Sequence, residues 1–208
     1  MPLYYIKVFC LLFLSIHCVD YAKAQELTYI GIPDSQFDYN AASQKSKQWC
    51  WAASIQMILN YYGVDINQEQ VVARSYGIDE NGNLPDWPAS FNLITENLNG
   101  WEIDSNGRQH LLHAVMGYGP PAPADLINEL SNGKPVIVAY RSGPGSSHAV
   151  VITGLSYIDS PDGPLVRSIT VRDPWPDDHD LKFLGKLDYS AKSLAQQVEA
   201  FWFISLDE

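Results

Sequence analysis

The sequence predicts an α+β fold, with a helical N-terminal lobe packed on a C-terminal antiparallel sheet. Two changes of pattern along the chain predict it. Apolar residues recur at helical spacing in the first half, and β-rich runs bounded by Gly, Pro and Asp dominate the second. The third observation is size. The chain has 208 residues, of which 46% are hydrophobic and 12% aromatic, enough to bury a full core in one domain. That composition also excludes disorder as the main state.

The first residues are set apart. Lys7 precedes an apolar run from Val8 to Val19, and Ala22-Lys23-Ala24 follows. This is the layout of a secretory signal peptide, with a charged start, an apolar centre and a small-residue cleavage site. The run is shorter than a membrane-spanning helix requires. Residues 1–24 are therefore expected to be removed. Residues 25–208 are then the mature domain, secreted or periplasmic and with no membrane association of its own.

The elements follow in order. Trp51, Ile55, Ile58, Leu59 and Tyr62 form one helical stripe that starts at Cys50 and is ended by Gly63. Asn67 and Gln70 have the spacing of a capping box for a short helix that stops at Gly77. A third helix is expected from Pro88 to Leu98, and a strand from Trp101 to Ile103 with a turn at Asn106-Gly107. Pro120 to Pro123 reads as a linker into a helix over Ala124–Ser131, closed by Gly133. Strands are expected at Pro135–Tyr140, His148–Gly154, Ser168–Asp173 and Phe201–Leu206. A flexible loop is expected at Ser142–Ser147, and a helix near Ser190–Glu199.

Charge excludes some partners. With 13 Lys+Arg against 24 Asp+Glu, the net charge is −11. Such a chain lacks the positive footprint that nucleic acid or an anionic membrane demands. Loss of the leader also removes Cys10 and Cys18, which leaves Cys50 alone and excludes an internal disulfide. A lone thiol can be a small buried hydrophobe. The position of Cys50 at the start of a helix favours a reactive thiolate instead, because unpaired N–H groups and the helix dipole stabilise negative charge there.

A thiolate needs an imidazole. His110 and His113 lie in a segment of mixed polarity, and His179 lies among Asp177, Asp178 and Asp180 in what reads as a solvated loop. His148 follows a Gly/Ser loop and opens a strand, so its ring can face a cleft while Val150 and Ile152 point the same way. Asp173 ends a strand on the face of Ile169 and Val171. If that strand neighbours the first, Asp173 can accept the Nδ1–H of His148 and leave Nε2 toward the thiol. Gln44, just ahead of the helix, can join the Cys50 backbone N–H in an oxyanion hole, with Gln48 as its competitor.

Together these residues resemble a papain-like cysteine peptidase. The resemblance rests on Gln44-Lys-Ser-Lys-Gln-Trp-Cys50-Trp51-Ala-Ala-Ser, on Ser147-His148-Ala149-Val150 and on Asp173-Pro174-Trp175, in that order. It spans roughly residues 28–206. It is strongest to short bacterial members of the Trp-Cys-Trp-Ala-Ala type, which include secreted effector peptidases, with bacteriocin-processing peptidase domains as more distant relatives. Two departures stand out. The spacings from Cys50 to His148 and Asp173 are shorter than in cathepsins, which implies a pared-down fold. Asp also stands where the family's orienting residue is Asn.

The resemblance implies a cleft between the two lobes and hydrolysis of a peptide bond through a thioester. Cys50, His148, Asp173 and Gln44 would be the catalytic residues. It implies no metal and no organic cofactor, a peptide or protein substrate, and a monomer. Trp51 would pack the helix on the second lobe, and Trp175 would shield the His–Asp pair. The short segment ahead of Gln44 leaves no room for a long inhibitory propeptide. Two alternatives remain open: an amidase or acyltransferase on cell-wall or small amide substrates, and a papain-like binding module without turnover.

Overall fold

The computed structural model describes residues 25–105, 108–175 and 184–206. The expected signal peptide, the turn expected at Asn106-Gly107 and the acidic residues around His179 lie outside them. Eight strands form one antiparallel sheet: β1 Thr28–Gly31, β2 Glu102–Ser105, β3 Arg108–Tyr118, β4 Val136–Gly143, β5 Ser146–Ile158, β6 Leu165–Arg172, β7 Lys186–Ser190 and β8 Val198–Leu206. The order is β2-β3-β8-β4-β5-β6-β7, and β1 takes the edge of β5 beyond the end of β4. The helices are α1 Asp34–Phe37, α2 Cys50–Tyr61, α3 Gln68–Tyr76, α4 Phe91–Leu98, α5 Pro123–Ser131 and α6 Ala191–Ala195.

The α+β class is as expected, but strand is not confined to the C-terminal half. β1 and β3 join the same sheet from the first part of the chain. The mixed polarity of β3 is a one-sided strand: Leu112 is buried and Ala114 and Met116 pack on the core from the same face, while His113 and Val115 are exposed. Helical cover is also present on both faces. Ile137, Ala139, Ala149, Val151 and Trp202 pack under Phe37 and the apolar side of α2 to α4. On the opposite face, Val136, Val138, Val150, Ile152 and Val171 pack against α5 and α6. Alternate residues of β5 thus serve two cores, which explains its nearly unbroken apolar run.

Local chemistry sets the element ends. The capping box of α3 forms, with Asn67 Oδ1 accepting from Gln70 N and Gln70 Oε1 from Asn67 N. α4 starts at Phe91 rather than Pro88 because the Ser90 hydroxyl caps Leu93 N at 3.2 Å. The expected loop at Ser142–Ser147 is instead a tight hairpin tip, with Gly145 in the left-handed region at φ 68°. The helix expected near Ser190–Glu199 is only the single turn and a half of α6, after which β8 begins.

Candidate active site

α2 lies across β5 and brings its first residue to the start of that strand. Cys50 is half-buried, a free thiol at the helix N-terminus. Among the described residues its backbone N–H meets no acceptor, as expected for the first turn of a helix. Cys50 stands beside the ring of His148, the third residue of β5, near enough to act on its charge, and the two line the same cavities.

His148 is held from its other side. Its Nε2–H donates to Asp173 Oδ1 at 2.7 Å. This reverses the expected ring order: Asp173 takes Nε2, which leaves Nδ1 for the thiol. The reason is where the partners stand. Asp173 lies one residue past the end of the adjacent strand β6 and reaches Nε2, the ring's outer nitrogen.

Asp173 is itself fixed. Oδ1 also accepts the Trp175 N–H at 2.8 Å, and Oδ2 accepts from Tyr189 Oη at 3.4 Å. Its backbone N–H donates to Gly185 O at 2.8 Å. Gly185 has φ 72°, and a side chain there would collide with the Asp173 carbonyl. Tyr140 sets its ring edge-on to His148, with centroids 5.7 Å apart, and Trp175 does the same at 6.3 Å.

These contacts decide the charge on His148. Burial alone pulls an imidazole toward neutrality, but hydrogen bonds and charge from Asp173 and Cys50 outweigh it and raise the ring to about 9. The group is an imidazolium at neutral pH. The Tyr140 phenol is raised as well, first by its burial and then by Tyr189, Asp173 and Cys50, and stays protonated and neutral.

Two cavities open beside the Cys50–His148 pair. One, of about 350 Å³, has an apolar floor of Trp51, Phe91, Ile94, Ala139 and Ala149. The other, of about 510 Å³, is bounded by Tyr140, Asp173, Trp175 and Lys47. Gln48 lines both. Gln44 does not; it borders a further cavity with Lys47, Asp86 and Trp175. Gln44 is 7% exposed, and its Nε2 donates to Ser46 O and Lys47 O, both at 2.9 Å, while its amide oxygen is buried without a partner. The structure thus brings Cys50, His148 and Asp173 together and holds the Gln44 amide against its own loop.

The tryptophans flanking Cys50 have a role the sequence did not suggest. Trp49 Nε1–H donates to Pro85 O at 2.9 Å, and Trp51 Nε1–H to Trp87 O at 3.1 Å. Asp86 between them accepts from Gln48 N, and Tyr76 Oη donates to Pro88 O. An extended strap, residues 85–89, is thereby pinned across the start of α2. Trp51 lies in the core shared by α2 and the sheet, and its indole N–H and its edge contact with Tyr76 also serve this strap and α3. Trp175 does lie against His148, though it is about half exposed.

Arg172 was also missed. It is 2% exposed and donates to Asp34 Oδ1 at 2.9 Å and Asp38 Oδ1 at 2.6 Å, one residue before Asp173. Lys186 joins Asp34 at 2.7 Å, and the two cations hold the Asp34 carboxyl below its usual range. Among the described residues, no cluster of three or more His, Cys, Asp or Glu could hold a metal.

Three comparisons with known proteins complete the description. The family model described as "Peptidase_C39 like family" matches residues 36–197. Comparison with curated proteins finds no match. Among solved structures, a double glycine motif protease from an AMS/PCAT transporter, crystallised in complex with the leader peptide, is similar at 16% identity. That alignment covers 79% of this chain and 89% of the other, with a TM-score of 0.45.

Proposed function

The chain belongs to the Peptidase_C39 like family and is a papain-like cysteine peptidase, and from that premise we propose that it hydrolyses peptide bonds through a thioester on Cys50. The observation that carries this reading is the His148 ring, held between the Asp173 carboxylate at 2.7 Å and the Cys50 thiol at the N-terminus of α2.

The roles follow from the geometry. Thiolate Sγ attacks the substrate carbonyl carbon, and the carbonyl oxygen becomes an oxyanion. The unpaired Cys50 N–H is one donor for it. The Gln44 amide is the second, giving up one of its two loop acceptors. The His148 imidazolium donates its proton to the leaving amine as the C–N bond breaks. The neutral ring then takes a proton from water, which attacks the thioester, releases the acid and restores the ion pair. Asp173 keeps the ring oriented and stabilises its charge.

The substrate is a peptide or protein, and the enzyme acts as a monomer outside the cytoplasm. The export reading rests on the leader-like segment at residues 1–24. The short segment that follows is part of the folded domain: β1 pairs with β5, and Asp34 and Asp38 bind Arg172. It therefore does not serve as a detachable inhibitor.

The test is peptide-library cleavage by the wild type and by Cys50→Ala, with alkylation of Cys50 by iodoacetamide in mildly acidic buffer. Rapid alkylation, and cleavage lost in Cys50→Ala, are expected. Cleavage retained in a folded Cys50→Ala variant overturns the reading.

A further inference from the structure

β8 carries one residue more than its partner at a point beside the site. Ala139 pairs with Ala200 and Tyr140 with Val198, so Glu199 stands in the ladder with nothing opposite. A bulge of this kind bends the strand and re-aims the extra side chain. The Glu199 carboxylate is turned across β4 to β5, where it meets the residue before His148. The Ser147 hydroxyl donates to Glu199 Oε2. Glu199 Oε1 accepts from Arg141 Nε at 3.3 Å and Nη2 at 3.2 Å.

Arg141 and Ser147 face each other across β4 and β5, so three strands are tied at one point. The backbone is fixed there as well, with Arg141 N donating to Gln197 O and Gly119 N to Glu199 O, both at 2.9 Å. A second bulge follows at once: Gly143 pairs with Ser146, which leaves Ser142 extra on β4. Arg141 is largely exposed, so its ion pair adds little to stability. The β4–β8 and β4–β5 ladders are thus each interrupted once at the catalytic end. Ser147, moreover, lines both cavities that flank His148.

We propose that Glu199 is a positioning residue for His148, acting through the Ser147 hydroxyl to set the hairpin tip and with it the angle of the ring toward Cys50. This rests on the peptidase reading above. The contact is charge-assisted and sits one peptide unit from the ring, where a displacement of about 1 Å lowers a rate on the order of a hundredfold.

The experiment compares Glu199→Ala, Ser147→Ala and the double variant in the full chain. It measures kcat, KM, thermal midpoint and the alkylation rate of Cys50 against pH. A kcat reduced about tenfold to a hundredfold, with KM nearly unchanged, is expected in each single variant. The double variant is expected to be no slower than Glu199→Ala, since both changes remove one contact. Alkylation should slow in parallel. If Glu199→Ala does not fold, Glu199→Gln preserves the volume while replacing one acceptor oxygen, and a smaller loss of kcat is expected.

Multiplicative losses in the double variant overturn the proposal. So does a lowered melting temperature with kcat and the alkylation profile unchanged, because that is the mark of a merely structural residue. Alkylation needs no substrate. A wild type that alkylates rapidly but cleaves nothing would therefore count against the peptidase reading alone and leave the Glu199 comparison legible.

Discussion

His148 Nε2 lies 2.7 Å from Asp173 Oδ1, and the orienting residue is a full carboxylate rather than an amide. The charge helps to hold the ring protonated to about pH 9. The kcat/KM profile should therefore lose activity on its basic side near that pH. Asp173→Asn removes the charge while leaving an acceptor, so its basic limb should move to lower pH. A limb that stays in place would show that the carboxylate does not govern the proton.

The same group makes stability depend on pH. A ring whose folded value is raised stabilises the fold fully below its unfolded value of about 6.5. That contribution is lost as pH rises through about 9. Urea unfolding of the wild type should weaken across this window. His148→Gln should abolish that part of the dependence.

Gln44 and Gln48 separate by rate. Gln44→Ala should lower kcat about 10²–10³-fold, the usual loss of one oxyanion donor. Gln48→Ala should stay within a few-fold of wild type, although Gln48 lines the cavities that Cys50 and His148 share. The reverse ranking would transfer the oxyanion role to Gln48.

The strap can be loosened without touching the nucleophile. Trp49→Phe and Trp51→Phe keep the ring volume approximately but leave the Pro85 and Trp87 carbonyls without their donors. Each should lower stability by about 1–3 kcal/mol if those carbonyls stay buried. Because Pro88 and Ala89 wall the apolar cavity, KM should rise more than kcat falls. Equal changes in kcat and KM would argue that the strap does not contact substrate.

The Arg172 cluster predicts an asymmetry. Asp34→Asn with Asp38→Asn takes two counter-charges from a buried guanidinium and should destabilise by about 3–5 kcal/mol. Arg172→Met leaves only two partly exposed carboxylates and should cost less. Chemical denaturation of the two proteins gives the ranking directly.

Much of this was legible in the sequence because the site residues sit at element ends that short-range patterns mark. Cys50 opens a helical stripe, His148 opens an apolar strand, and Asp173 closes another before a proline. The order of the ring nitrogens was not, because it depends on which neighbour each edge of the imidazole meets. β3 was hidden by its exposed side, where His113 and Val115 alternate with the buried Leu112 and its neighbours. Arg172 looked like a surface residue at a strand end, since its acidic partners lie far back along the chain at Asp34 and Asp38. Glu199 gave no signal at all: its placement comes from a one-residue offset between strands that are remote in sequence.

The pairing of β1 with β5 has a consequence for how activity first arises. As the polypeptide leaves the ribosome, Cys50 and the helix that carries it emerge early, yet the imidazole and carboxylate that would pair with the sulfur belong to segments made much later. Even the opening strand must wait for β5 before it has anywhere to bind. The newborn chain thus lacks the imidazole and carboxylate for its thiol until its final third has been synthesised and folded back.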